Sequence, residues 1–543
     1  MKKNYLLALL SAFLLWLAWP PFLFTAPLLF IAFIPLLFAL EDIMRNDYAK
    51  KGQKVFLTAG LTCLIWNSAS IYWVFNAMDA IMPAIVAALI SLIPFGLAAL
   101  LMSLAFRLYY QLRKKHNFWL AASGLVCFWI SYEFLHQSWD LAFPWMTLGN
   151  GFAETHQLIQ WYEYTGVYGG TIWIWASNLL LFQAVYTYRI SNRSSKIALP
   201  LAGWAALIII PIAISYSIYT NYEEHVNPSE VVVVQPNIDP YAKYGTMAER
   251  EKMSIESQID NLIRLSDSIA PVNTEFFVWP ETAIPEMTNE ETILDSRIFY
   301  RLENFLDKYK NGNLISGIES YLYYDSPKTP TARLQENGQY VDYFNAAVML
   351  ENSTKVQFYH KSKLVPGVEQ LPFANALAFM KPLFAAFGGT TGGYGRQDEA
   401  SVFYSQSGIG AAPVICYESI WGSYVADYVQ KGAQFIAIVT NDAWWGNTSG
   451  KDQHLAYAKL RAIETRRWVA RSANTGISAF INQRGDIVQK TKWWQPDALR
   501  QEINLNEEIT FYTAKGDYLA YFFSGAGSIF LVLSLFSFKK KSS

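Results

Sequence analysis

Residues 410–419 read GAAPVICYES, an apolar run that ends on Cys416 and passes at once into Tyr417, Glu418 and Ser419. Small and β-branched residues bounded by polar ones read as a short buried strand that opens into a loop and then a helix. The same grammar recurs on either side of it. Runs at 231–235 (VVVVQ), 275–279 (EFFVW), 343–350 (YFNAAVML), 435–440 (FIAIVT) and 476–481 (GISAFI) predict further strands. The stretches 247–269, 294–309, 420–431 and 453–470 carry apolar residues at roughly helical spacing, with charged residues on the opposite face. Strands alternating with helices predict α/β layers around a sheet, and about 300 residues suffice for one large core. The segment 387–397, FGGTTGGYGRQ, is expected to be a loop; it lacks phosphate-binding spacing and a following Lys.

Two more ionisable residues stand where apolar strands end. Glu281 follows EFFVWP in the string WPETAIP, and Lys361 lies in YHKSKLVPGVEQLP, beyond a third strand. Taken singly, such a Cys is a buried structural thiol, such a Glu a helix cap and such a Lys a solvated charge. Delivered together by separate strands they make a site. The carboxylate takes the thiol proton, the ammonium lowers the thiol pKa, and the thiolate attacks a carbonyl. The same ammonium and a backbone N–H near Tyr417 then stabilise the tetrahedral oxyanion.

Outside this segment the chain changes solvent. Of its 543 residues 52% are hydrophobic and only 16% charged, too apolar for an ordinary soluble enzyme. Apolar segments at 5–19, 25–40, 55–75, 80–106, 118–135, 171–187 and 197–219 precede the α/β region, and 518–538 follows it. Most have the length needed to cross a bilayer. Lys and Arg gather in every second connection: Lys2-Lys3; Arg45, Lys50, Lys51 and Lys54; Arg107, Arg113, Lys114 and Lys115; Arg189, Arg193 and Lys196; and Lys539–Lys541. The positive-inside rule then predicts eight crossings with both termini in the cytoplasm and residues 220–517 outside it. LAWPPF is a poor cleavage site, so the first apolar run is expected to be retained.

The expected layout is therefore a bundle of seven helices over 1–219, an outer α/β domain over 220–510, and a last helix with a basic tail over 511–543. A net charge of −1 argues against nucleic acid as a partner. Three cysteines (Cys63, Cys127 and Cys416) cannot make a disulfide framework, and the six histidines lack metal-ligand spacing, so neither metal nor cofactor is expected.

Around Glu281, Lys361 and Cys416 the sequence resembles the nitrilase, or carbon-nitrogen hydrolase, superfamily. WPET, YHKSKLVPGVE and VICYES match its three characteristic sites in order, and the likeness continues through VVVVQPNID, NDAWWG at 441–446 and QHLAYAKLRAIETRRWVARSANTGIS at 453–478. The flanking membrane segments, with FPW at 143–145 and Gly149, resemble the apolipoprotein N-acyltransferase branch. The resemblance implies an α-β-β-α sandwich on the periplasmic side of a bacterial inner membrane, carrying Glu281 as base, Lys361 as oxyanion stabiliser and Cys416 as nucleophile. It implies that Glu369, Tyr417 and Glu418 support them.

The implied reaction is the last step of lipoprotein maturation. A fatty acyl group passes from phospholipid to a Cys416 thioester, then to the α-amine of an N-terminal S-diacylglyceryl-cysteine. One motif departs from the family, which has an aromatic-Gly pair where this chain has Gly367-Val368, and that bears on Glu369. Trp444 and Trp445, with Phe143, Trp145 and Trp161 of the outer loop, are expected walls of a dry substrate site, or else core and interfacial aromatics. A membrane-tethered amidase needs the same three residues but admits water. An inactive binding module on a transporter-like bundle would need intramembrane charges; Glu133 and His136 come nearest.

Overall fold

The computed structural model describes residues 1–79, 83–191, 195–239, 254–373 and 393–536. Parts of four expected features lie outside them: 80–82 of the fourth apolar segment, 247–253 of the first predicted helix, 387–392 of the Gly-rich segment, and 537–543 with the basic tail. Arg193 also lies outside. The chain forms two compact units, Met1–Asn221 with Lys515–Ser543, and Tyr222–Ala514.

Among its described residues the first unit is built from helices and short connections. Its α-helices are α1 (Lys2–Leu17), α2 (Ile34–Arg45), α3 (Lys51–Ser70), α4 (Trp73–Asp79), α5 (Ala84–Arg113), α6 (Phe118–Ser138), α7 (Tyr162–Ser191) and α8 (Ser195–Asn221), joined from the other end of the chain by the helix Tyr518–Leu535. Among the described residues five helices are long and apolar enough to cross a membrane, and six if α3 and α4, bent by 59°, count as one span. The eight expected crossings exceed this number. One reason is length, since α1 has only 16 residues.

Residues of two basic connections meet at one end of this bundle. Arg45, the last residue of α2, and Arg113, the last of α5, both reach Glu41, at 2.7 and 3.2 Å. Lys115 donates to the Ser534 carbonyl at 2.8 Å, at the end of the last long helix, Tyr518–Leu535. Glu133 is not a free intramembrane charge. Its carboxylate accepts from Trp129 Nε1, from the backbone N–H of Leu148 and from Thr171 Oγ1, which ties the 144–158 segment to α6 and α7. Gly149 lies in that segment against Val167, whose carbonyl oxygen would stand 1.9 Å from any added Cβ.

The second unit holds two sheets. The first is ordered β14-β1-β2-β4-β6-β5, with β3 added to β4 and β7 to β6. Its strands are β1 (Pro228–Gln235), β2 (Phe276–Val278), β3 (Ile284–Asn289), β4 (Asn313–Tyr324), β5 (Arg333–Leu334), β6 (Tyr340–Glu351), β7 (Val356–His360) and β14 (Asp497–Asn504). The second runs β13-β12-β11-β10-β9-β8, from β8 (Phe403–Tyr404), β9 (Gly410–Ile415), β10 (Phe435–Thr440), β11 (Val469–Ala473), β12 (Ala479–Ile481) and β13 (Ile487–Lys490). The central pairs β1/β2, β2/β4, β9/β10 and β10/β11 are parallel. Strands buried on both faces need continuous rather than alternating apolar runs, which is why VVVV and FIAIV look as they do.

Helices α9 (Ile255–Asp267) and α10 (Arg297–Leu306) cover one face of the first sheet. Ile259, Leu262, Phe299, Leu302 and Phe305 pack there with Val232, Val234, Phe277, Trp279 and Leu314. The alternate residues face the second sheet: Phe276 meets Phe435 at 4.9 Å, and Ser472 Oγ donates to the Val234 carbonyl at 2.7 Å. Helices α11 (Gly422–Gln430) and α12 (Ser449–Thr465) pack on the second sheet. The helix predicted over 453–470 thus stops early. Arg466 turns left-handed at φ +50°, and Val469 already pairs with Ile436 in the sheet. Such a cap ends a helix by turning its last carbonyls aside.

Candidate active site

Glu281 reaches its place because the pairing of β2 with β4 continues past the strand end. Trp279 N–H donates to Ile315 O at 2.9 Å, and Gly317 N–H to Pro280 O at 3.1 Å. The approach requires a glycine, since a Cβ on Gly317 would stand 2.5 Å from Glu281 Cα and 2.7 Å from Pro280 O. Lys361 is placed in the same way, its N–H donating to Asn345 O at 2.9 Å just beyond the β6/β7 ladder.

The side chains converge in the interior. Lys361 Nζ donates to Glu281 Oε1 at 3.0 Å and to Glu369 Oε1 at 2.7 Å, with Lys361 only 1% exposed. Asn345 Nδ2 donates to the same two oxygens, at 2.9 and 2.7 Å. Burial by itself would lower the Lys361 pKa, but Glu281, Glu369 and Cys416 raise it well above the ordinary value, so this ammonium stays charged.

Glu369 arrives despite its altered motif. Gly367 adopts φ +81° and its N–H bonds Gln370 O at 2.9 Å, while Glu369 Oε2 accepts from Val365 N–H at 2.7 Å. The glycine stands one position earlier than in the family pattern and still closes the turn that presents the carboxylate. Asn345 was not singled out by sequence reading. Its signal was a lone amide inside YFNAAVML, where an apolar strand should carry none unless a buried partner exists.

Cys416 sits at the end of β9 with φ +48°, a conformation a non-glycine residue adopts only where its surroundings enforce it. Glu418 enforces it. One carboxylate oxygen accepts from Ile415 N–H at 2.9 Å, and the other from Tyr359 OH at 2.6 Å and from the N–H groups of Ser362 and Lys363 at 2.7 and 3.2 Å. One buried side chain therefore fastens the residue before Cys416 to the two residues after Lys361. Burial raises the Glu418 pKa, against the hydrogen bonds that lower it.

The Cys416 thiol does not behave as simple proximity to a cation predicts. Burial and then the Glu281 charge push it up, and together they outweigh Lys361 and the hydrogen bond with Thr440 that pull it down. Lys361 does lower the thiol pKa, but the net direction is upward, and the resting group is a thiol. Behind it lies a second polar cluster. Arg471 Nη2 donates to Asp442 Oδ2 at 2.7 Å, and His454 Nδ1 stands 3.1 Å from Asp442 Oδ1, all with at most 1% side-chain exposure. Burial opposes the Asp442 charge, but Arg471 and His454 hold its carboxyl below the usual range.

Tyr417 is buried edge-on against Trp421 at 4.8 Å. Trp445 meets His454 edge-on at 5.2 Å, and Trp444 is 44% exposed. Phe143 and Trp145 belong to the helical unit, where Trp145 is fully buried and packs on Trp73 at 4.6 Å. Trp161 packs on Trp173 at 5.4 Å. Among the described residues no group of His, Cys, Asp and Glu is arranged to hold a metal.

Comparison with known proteins covers both units. Residues 11–180 match the family described as apolipoprotein N-acyltransferase N-terminal domain, and residues 231–511 match carbon-nitrogen hydrolase. An apolipoprotein N-acyltransferase of Chlorobaculum tepidum is 30% identical over 553 residues, spanning 98% of this chain and 97% of that protein. One from Geobacter metallireducens is 28% identical, spanning 100% and 96%. Among solved structures, an amidase from Nesterenkonia sp. overlays 55% of this chain and 97% of its own at 14% identity, with a TM-score of 0.34.

Proposed function

Because the chain belongs to the apolipoprotein N-acyltransferase family, we propose that it moves a fatty acyl group from phospholipid, through Cys416, to the α-amine of a diacylglyceryl-cysteine at a lipoprotein N-terminus. The observation that carries this reading is the buried Glu281–Lys361–Glu369 cluster, in a chain whose described residues also hold five helices long and apolar enough to cross a membrane. Attack begins from the thiol, so its proton moves to Glu281 as Sγ bonds the ester carbonyl carbon. Lys361 Nζ and the Tyr417 N–H hold the oxyanion. The C–O bond then breaks, Glu281 returns the proton to the departing lysophospholipid oxygen, and a thioester remains.

The acceptor amine repeats the sequence in the second half. It attacks the thioester carbon, its proton passes to Glu281, the C–S bond breaks, and the sulfur regains the proton as the amide leaves. Glu369 keeps Lys361 charged and aimed, and Asn345 holds the two carboxylates in place. Two lipid substrates meet best at a bilayer surface, which gives the helical unit a chemical purpose that a soluble amidase lacks. Trp444 and Trp445 are assigned to keeping water from the thioester.

The reading includes a layout. Eight crossings over 1–219 and 511–543 anchor an α-β-β-α catalytic domain over 220–510 on the periplasmic side of the inner membrane. The test is transfer in detergent from phospholipid to a synthetic diacylglyceryl peptide with a free α-amine. A triacylated peptide is expected from the wild type and none from Cys416→Ala; release of fatty acid to water in place of transfer would indicate a tethered amidase.

A further inference from the structure

The carbonyl oxygen of Cys416 faces two donors. Ser419 Oγ donates to it at 2.8 Å, and His454 Nε2 lies 3.2 Å from it and 2.9 Å from Ser419 Oγ. The carbonyl and the Ser419 hydroxyl can both accept from Nε2, so this nitrogen carries a proton. On its far side His454 Nδ1 is 3.1 Å from Asp442 Oδ1 and 3.0 Å from Arg471 Nη2. Asp442 is itself gripped by Arg471 at 2.7 Å and by Thr440 Oγ1 at 3.1 Å. Asp442 and Arg471 are fully buried and His454 is 1% exposed, so the imidazole has little freedom to turn.

The Cys416 carbonyl and the Tyr417 N–H belong to one peptide plane and point in opposite directions along it. Fixing the oxygen fixes the N–H. We infer that His454, held by Asp442 and Arg471, and Ser419 are positioning residues that aim the Tyr417 N–H at the acyl oxyanion. Donation to the carbonyl also polarises the peptide and makes the opposed N–H a stronger donor. The cluster thereby gives a role to buried polar groups that the acyl-transfer steps do not touch, and it helps explain how Cys416 keeps φ +48°. This inference rests on the acyl-thioester reading of Cys416.

The test acylates the full-length protein with phospholipid carrying a ¹³C-labelled acyl carbonyl, without acceptor. It follows both the acylation rate and the infrared stretch of the thioester carbonyl. His454→Leu is expected to slow acylation about 10- to 100-fold, less than outright loss of an oxyanion donor. It should also raise the carbonyl stretch, because a misaimed N–H polarises the acyl oxygen less. His454→Gln, which keeps a donor near the Nε2 position, should bring both values back toward wild type. An unchanged stretch in His454→Leu, whatever its rate, overturns the inference, since a merely structural defect would slow the enzyme without altering the bound carbonyl. If His454→Leu does not fold, Ser419→Ala supplies the same two readouts with the Arg471–Asp442 pair intact. A wild-type protein that forms no thioester would instead refute the acyl-transfer reading, and this inference with it.

Discussion

Lys361 is one cation between two carboxylates, and the cluster's behaviour follows from that ratio. Lys361→Met removes an oxyanion donor and leaves Glu281 and Glu369 facing each other, so acyl transfer should fall about 100- to 1,000-fold or more, measured as triacylated peptide. The thiol supplies a sharper check through sign. Glu281 raises the Cys416 pKa and Lys361 lowers it, so Glu281→Gln should move thiolate absorbance to lower pH and Lys361→Met to higher pH. Both variants should nevertheless lose transfer. A Glu281→Gln protein that titrates higher than wild type would refute the assigned coupling. Glu281, Lys361 and Cys416 were legible because each follows an apolar strand in a distinctive string. Asn345 was not, because it sits inside its strand, and neither was the Asp442–His454–Arg471 cluster, which the fold assembles from residues as far as 29 positions apart.

Elements set the precision of the site. Strand β4 was missed in the sequence although it lies at the centre of its sheet, because Asn313, Ser316, Gly317, Glu319 and Ser320 interrupt its apolar pattern. At Gly317 the interruption serves the site, since the missing side chain admits the Glu281 backbone. Gly317→Ala should therefore cost about 1–3 kcal/mol of stability through overpacking and cut transfer more than tenfold by displacing Glu281. Denaturant melting and the peptide assay would separate the two effects, and normal transfer would show that the approach is not needed. The helix boundary at Arg466 was hidden for another reason. An arginine in the left-handed region is chosen by tertiary contacts, here the Gln483 carbonyl at 3.1 Å and the Tyr222 ring at 4.5 Å, rather than by local propensity.

At the scale of the whole molecule, the alternation of basic connections was legible from sequence, and the ion pairs of Arg45 and Arg113 with Glu41 gather two of those connections at one end of the helical unit. A reporter active only outside the cytoplasm should work when fused after Glu230 and fail after Lys115; the reverse pattern would place the catalytic unit on the wrong side for lipoproteins. The number of crossings was less legible, because a short helix such as α1 and an aromatic, hydroxyl-rich one such as α7 satisfy the charge pattern without long apolar runs. The proposed chemistry turns on Cys416 as the carrier of the acyl group between two lipids. It is tested most directly by mass analysis of the full-length protein after exposure to phospholipid alone, followed by addition of a diacylglyceryl peptide. An acyl mass is expected on the Cys416 peptide, persisting with equimolar lysophospholipid and then discharging onto the added amine. Steady release of free fatty acid, or a Cys416 that no phospholipid modifies, would contradict it.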